Sequence, residues 1–541
     1  TGIQNTLIGG LAGDALTTGS YNVALGYNAL SAEDANGRNV AIGYNSLTSQ
    51  NAGADAYNVA VGFKAGENVS TGAQNTILGG LAGDALTTGN YNVAIGYQAL
   101  STEDAHGANV AIGANALLTL DAGADGFNIA IGHDAGKLMT TGINNTVIGG
   151  LAGDAINTGS QNVAVGKASL SSATTASDNV GLGHGALSAL TTSARNVAIG
   201  TQALNGAMAT NSNTYNVAVG YQAGTAMTTG VQNTLIGGNA GDALTEGGEN
   251  TIIGYTAGGA MTIGNYNTAL GRSALSSSVD GDHNTAIGYN ALQDYEDGDG
   301  NGHNTAVGSQ SQLNATTGEF NTSVGSLSMG VGVTTGDDNT ALGYTAGKNI
   351  TSGNQNILIG SYCGDAITTG SKNTAIGVYA LTNEDSYGYN VAIGRRALAT
   401  LDAGADGYNV AVGASAGDAM TTGIENTLVG SSSGDALTTG SYNATFGVAS
   451  LGSATVGSRN IAIGQNALRV NIRADRNVAI GRAALENLIG DGSTANQTTY
   501  NTAVGDEAGK NITTGVNNTL IGGLAGDALT TGSGSVALGY N

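Results

Sequence analysis

One short pattern repeats along the whole chain: Asn, a β-branched residue, a small or aliphatic residue, an aliphatic residue, then Gly. Asn22-Val23-Ala24-Leu25-Gly26, Asn39-Val40-Ala41-Ile42-Gly43 and Asn373-Thr374-Ala375-Ile376-Gly377 are examples. There are 31 copies, with Gly in every one from Gly9 to Gly539 and Asn in all but the last, where Ser535 stands. The commonest spacing is that from Asn5 to Asn22 and from Asn22 to Asn39, and longer ones occur at Asn39 to Asn58, Asn196 to Asn216, Asn284 to Asn304 and Asn477 to Asn501. A fixed period of this length marks stacked repeats. Within the five residues polarity alternates as along a strand. The second and fourth positions, such as Val40 and Ile42, are aliphatic or β-branched and are assigned to the coil interior. The first and third, such as Asn39 and Ala41, then face the other way. The Gly closes the strand at a corner, and the rest of each repeat returns the chain one layer on.

The predicted fold is therefore all-β: a parallel β-solenoid, or β-roll, of 31 turns of about 17 residues. Residues 1–541 form a single continuous repeat region, expected to be a fragment of a longer chain. Thirty steps of about 4.8 Å give a rod of roughly 140–150 Å. Asn5, Asn22, Asn39, Asn75 and Asn92 are expected to stack as an amide ladder along one corner, and Gly9, Gly26, Gly43, Gly79 and Gly96 to mark the corner beside it. A larger unit is superimposed: Gly9-Gly10-Leu11-Ala12-Gly13-Asp14 returns at Gly79 to Asp84 and at Gly149 to Asp154, each time after four turns. Two aliphatic side chains per turn stabilise far less than ordering the backbone of that turn costs. The small residues Ala24, Ala41 and Ala60 offer a face that neighbouring chains can approach, so an oligomer is expected.

Composition sharpens this picture. The 541 residues include 91 Gly, no Pro, no Trp and one Cys, and aromatics are 5%, nearly all Tyr. Such a chain fills a narrow core, not a thick one. Regular apolar placement and only 10% charged residues argue against disorder. Pro is absent where it would remove a ladder donor. The formal charge of −23 opposes nucleic acid and anionic membranes. No apolar run is long enough to predict membrane insertion. Cys363 has no partner within the chain.

The run Asn-Val/Thr-Ala-Ile/Leu-Gly-Tyr-x-Ala, followed by Leu in most copies, as at Asn92 to Leu100, Asn284 to Leu292 and Asn339 to Ala346, resembles the head repeats of YadA-like trimeric adhesins. It is also similar to the repeats of phage tail fibres and large bacterial surface proteins. The resemblance covers essentially the whole chain. It implies a left-handed β-roll, a homotrimer, an extracellular, cell-surface or virion-tail location, and attachment to a cell-surface glycan or protein. The period here exceeds the usual one of the adhesin heads, so the outer turns must differ.

No catalytic constellation stands out, and the chain is not expected to be an enzyme. His106, His133, His184, His283 and His303 are scattered without metal-ligand spacing, and neither a phosphate loop nor a nucleophile elbow occurs. No cofactor is expected, with calcium as the one candidate. Asp297, Asp299 and Asn301, followed by Gly302, match the opening of an EF-hand loop, although Gly308 occupies the place of its last ligand. Tyrosines recur beside the motif, for instance Tyr21, Tyr27, Tyr44, Tyr57, Tyr97, Tyr289 and Tyr442, where they fit corner packing or sugar stacking. The function expected is a structural and adhesive fibre. The alternatives are a glycan- or protein-binding module acting through the longer loops, near Asn51 to Tyr57, Asn205 to Tyr215, Gln293 to His303 and Asn487 to Tyr500, and a polysaccharide-degrading solenoid enzyme. The last needs clustered carboxylates with basic partners, and only 16 Lys plus Arg are present.

Overall fold

A computed structural model describes residues 2–208, 210, 212–296, 302–491 and 496–541. Among them every regular element is a strand and all pairing is parallel, so the chain is a parallel β-solenoid of about 31 turns, each of about 17 residues. It divides into two compact units, Thr1–Tyr266 and Asn267–Asn541. Each repeat supplies one short strand, from Thr6–Ile8 to Thr251–Ile253 in the first unit and from Thr268–Leu270 to Val536–Leu538 in the second. Equivalent residues pair layer on layer: Val23 with Val40, and Val40 with Val59. Register survives the longer turns because the extra residues lie in the return segment. The second unit also pairs Ala474–Asp475 with Gln497–Thr498. No helix among the described residues is long and apolar enough to cross a membrane.

The alternation is present, but its sense is the reverse of that expected. Ala24, Ala41, Ala60 and the Asn of nearly every motif are fully buried, whereas Val40 and Ile42 are only half-buried and Leu25 is exposed. Asn and Ala face inward; Val or Thr and Ile, Leu or Val face outward. The reason is room. The wall opposite the strand already fills the coil with Leu30, Leu47 and Leu100, all buried. Against that wall the third position of the strand admits little more than a methyl group.

Size complementarity shows the same limit. Where the third position is large, as at Ile77, Val147, Leu358 or Leu428, the wall residue six positions on is Gly83, Gly153, Gly364 or Gly434. A Cβ on Gly83 would lie 2.8 Å from Leu86 Cδ1, and one on Gly364 2.7 Å from Leu358 Cδ2. The layer before each of these four carries Ala and Gly together, and its neighbours fill the space. Around Gly66, Leu47 Cδ2 reaches in from one side and Ile77 Cδ1 from the other, 3.0 and 2.9 Å from the place of a Cβ.

The wall position is left-handed whichever residue fills it: Leu47 has φ 49°, Leu100 φ 51°, Gly66 φ 60°. A Leu there costs roughly 1–2 kcal/mol. Burial of the side chain and a cross-layer bond, Leu100 N to Ala116 O at 3.0 Å, offset that cost. The corner Gly is stricter. Gly43 has φ 136°, and a Cβ on it would lie 2.2 Å from the carbonyl oxygen of Gly62 in the next layer.

Candidate functional site

The Asn residues form a buried polar spine. The backbone N–H of Asn22 donates to Asn5 Oδ1 at 2.8 Å, that of Asn39 to Asn22 Oδ1 at 3.0 Å, and that of Asn92 to Asn75 Oδ1 at 2.9 Å. The side-chain N–H groups turn to the return segment: Asn75 Nδ2 donates to Gly89 O at 2.9 Å and Asn5 Nδ2 to Gly19 O at 2.7 Å. The backbone carbonyl accepts from the adjoining strand, Val23 N to Asn39 O at 2.9 Å. The side-chain amide at this place satisfies two backbone groups that the narrow coil shields from water, an N–H and a carbonyl. Gly9, Gly26, Gly43, Gly79 and Gly96 line the adjacent corner with φ between 128° and 140°. These ten residues hold the layers together and present no open chemistry.

The residue before each Asn forms an exposed column in the left-handed conformation, with φ 64° at Tyr21 and Arg38 and 55° at Tyr57. Four of the longer turns end in this column on an aromatic ring or a histidine laid over the residue one layer back. Tyr57 covers Arg38 at 5.3 Å, Tyr215 covers Arg195 at 5.6 Å and Tyr500 covers Arg476 at 5.6 Å. The phenol accepts from the same guanidinium, at 2.6 Å for Arg195 and 2.7 Å for Arg476. His303 lies on His283 at 4.7 Å and under Phe320 at 5.3 Å. In the column after the corner Gly, Tyr27, Tyr44 and Phe63 stack at 5.6 and 5.5 Å. Ring faces in these stacks are occupied by the next layer, which favours layer packing over sugar stacking for the tyrosines.

Carboxylates converge in one recurring turn. Glu33, Glu103 and Glu384 are wholly buried. The Oε1 of Glu103 accepts from His106 N at 3.1 Å and its Oε2 from Ala122 N in the next layer at 3.2 Å. Glu384 repeats this with Tyr387 N at 3.1 Å and Ala403 N at 3.4 Å. Burial raises the pKa of all three against the opposing pull of those N–H groups, and that of Glu384 reaches about 7. Glu103, Asp104, His106 and Asp121 each bring one ligand atom to within 4.8 Å of the others, as do Glu384, Asp385 and Asp402. Neither group stands out along the chain, because Asp121 and Asp402 lie a full turn away from the other members. A spacing of one turn, read as adjacency, is the signal that finds them.

The calcium candidate Asp297, Asp299 and Asn301 lies outside the described residues. Cys363 is buried, its Sγ lies 3.1 Å from Ala375 O, and burial pushes its pKa up to about 12, so it is a packing residue. Threonines of the Thr-Thr-Gly corners spend their hydroxyls on the next layer, as Thr421 Oγ1 does on Thr438 O at 3.2 Å and Thr438 Oγ1 on Thr455 O at 2.8 Å. No family model matches this chain, and no curated protein matches it.

Proposed function

We propose that this chain is a structural, adhesive segment of an extracellular fibre, assembled from parallel copies of itself. The outward face of the strands carries the argument. Val93, Val110 and Ile129 form one column and Ile95, Ile112 and Ile131 a second, each half-buried or exposed. Leu182, Leu270 and Leu342 are 45%, 44% and 45% exposed. On successive layers of each unit the fourth position forms an almost wholly aliphatic column and the second a mainly β-branched one of Val, Ile and Thr, and large exposed apolar patches mark association surfaces. A second copy in the same register matches that regularity at every layer. The expected face of self-contact thus moves from the alanines, which are interior, to the Val/Thr and Ile/Leu columns.

The similarity of the Asn-Val-Ala-Ile-Gly repeat to trimeric adhesin heads and tail-fibre repeats supports three copies and a surface or virion location. The net charge of −23 keeps such a fibre soluble. Attachment to a glycan or protein receptor belongs to the same reading. Light scattering after size exclusion tests assembly. The chain is expected to elute at three times its mass of 52.9 kDa. The variant Ile95→Asp/Ile112→Asp should remain a folded monomer. A variant that keeps the wild-type mass overturns this interface.

A further inference from the structure

We propose that Arg459 and Arg476 in the second unit form a binding site for the oxyanion groups of an acidic polysaccharide. This rests on the reading of the chain as an adhesive segment and names the chemistry of what it adheres to. Both residues stand in the exposed column before the motif Asn, in adjacent layers. Tyr442, Arg459, Arg476 and Tyr500 follow one another there with φ 63°, 57°, 61° and 48°, so the backbone presents all four side chains in the same sense. The Arg459 guanidinium lies over the Tyr442 ring at 5.0 Å and that of Arg476 over the Tyr500 ring at 5.6 Å. Arg476 also donates to the Tyr500 phenol at 2.7 Å. A ring on each outer side thus brackets two guanidiniums one layer apart, about 4.8 Å along the axis.

Charge and pairing both point to an external anion. The chain carries −23, yet from Arg459 to Arg482 it holds five of its 16 Lys plus Arg and a single carboxylate, Asp475. Elsewhere in this column an Arg has a carboxylate: Arg38 pairs with Asp55 at 3.0 Å and Arg195 with Asp178 at 3.6 Å. Among the described residues neither Arg459 nor Arg476 forms an ion pair, and the Arg459 guanidinium makes no hydrogen bond. Asp475 lies near both but is buried, accepts from Ser458 N at 2.7 Å and stops short of ion-pair distance. Glu486 takes up Arg469, and Asp506 and Glu507 take up Arg482. Two like charges held side by side repel, and an oxyanion between them removes that repulsion. Guanidinium forks match carboxylate and sulfate groups with paired N–H donors. Both arginines are exposed, which suits a group carried on a polymer. A fibre offers the pair once per copy, so a polymer of repeated anionic sugars engages several pairs at once.

Binding of the full chain to immobilised dextran sulfate, polygalacturonate and neutral dextran is the test. The wild type is expected to bind at least one polyanion, to ignore neutral dextran and to be released as salt rises. The matrix that retains it tells a sulfate from a carboxylate source. Arg459→Ala/Arg476→Ala should bind about tenfold or more weakly. Arg38→Ala/Arg195→Ala, the same charge change in the same column, should bind like the wild type. Protection of Arg459 and Arg476 from dione modification by the bound polyanion is a second readout that needs no variant. Binding to neither polyanion, equal binding to neutral dextran, absence of protection, or an equal loss in the Arg38/Arg195 variant overturns the proposal. Light scattering on the same samples reports assembly separately. Arginine-dependent binding by a monomer keeps this site and removes the fibre, whereas an assembled chain that ignores both polyanions does the reverse.

Discussion

At the scale of single residues the fold rests on groups that are unusual elsewhere: a fully buried Asn in nearly every layer, a Gly that the next layer's backbone touches, and Leu in the left-handed region. Asn233 illustrates the first. Its Nδ2 donates to Gly247 O at 2.9 Å and its Oδ1 accepts from Asn250 N at 3.0 Å. Asn233→Ala leaves both partners buried and unpaired, so a loss of roughly 2–4 kcal/mol is expected, read as a lowered urea midpoint. Gly43→Ala is expected to cost more than about 3 kcal/mol, because no side-chain motion can move the Gly62 carbonyl. The buried glutamates predict a pH dependence. Glu384 has its folded pKa raised to about 7, above the usual 4.5. A raised carboxyl stabilises the fold while it is protonated, and that contribution fades as pH climbs from 4.5 through 7. Melting temperature should therefore fall between pH 5 and 8, by the equivalent of about 1–3 kcal/mol. In Glu384→Gln this portion of the pH dependence should be gone.

At the scale of the turn, the strand and the wall opposite it must be sized together. Ile77 with Gly83 and Ala94 with Leu100 are two solutions to one volume. Ile77→Ala opens a cavity, and Gly83→Leu forces a clash with Leu86 and Ile77. Combined, they recreate the Ala94/Leu100 arrangement. The double variant should be more stable than the sum of the single losses by about 1–3 kcal/mol in a denaturation cycle. A sum that is simply additive would mean that the pair is not coupled through the interior. The same pair shows what was legible in the sequence. Asn22, Asn39 and Gly26, Gly43 fix the period and the strand, because both residue types have few other reasons to recur once in every turn. Alternation in Val40-Ala41-Ile42 separates two faces but does not say which is inner. The usual preference for aliphatic interiors chose wrongly, because the coil is too thin for Val and Ile opposite Leu47. The co-variation of Ile77 with Gly83 held the correction. That Asp121 meets Glu103, Asp104 and His106 was illegible for a different reason: the solenoid makes neighbours of residues one turn apart.

At the scale of the molecule, each coil has a thin, well-filled interior of Asn, Ala and Leu and leaves its β-branched and aliphatic columns outside. Inter-layer hydrogen bonds and this interior hold the layers together, and the outward columns remain unused within one chain. Self-association through those columns is tested by disulfide trapping at one layer. Cys363 is buried and held as a thiol, so a single introduced cysteine is the only reactive one. Ile112→Cys is on the outward strand face, and Thr88→Cys is an exposed control on the return segment. Mild oxidation of assembled chains should link Ile112→Cys copies to one another at high yield and leave Thr88→Cys copies unlinked. Equal linking of both, or linking of neither, would contradict a fibre built on the Val and Ile columns.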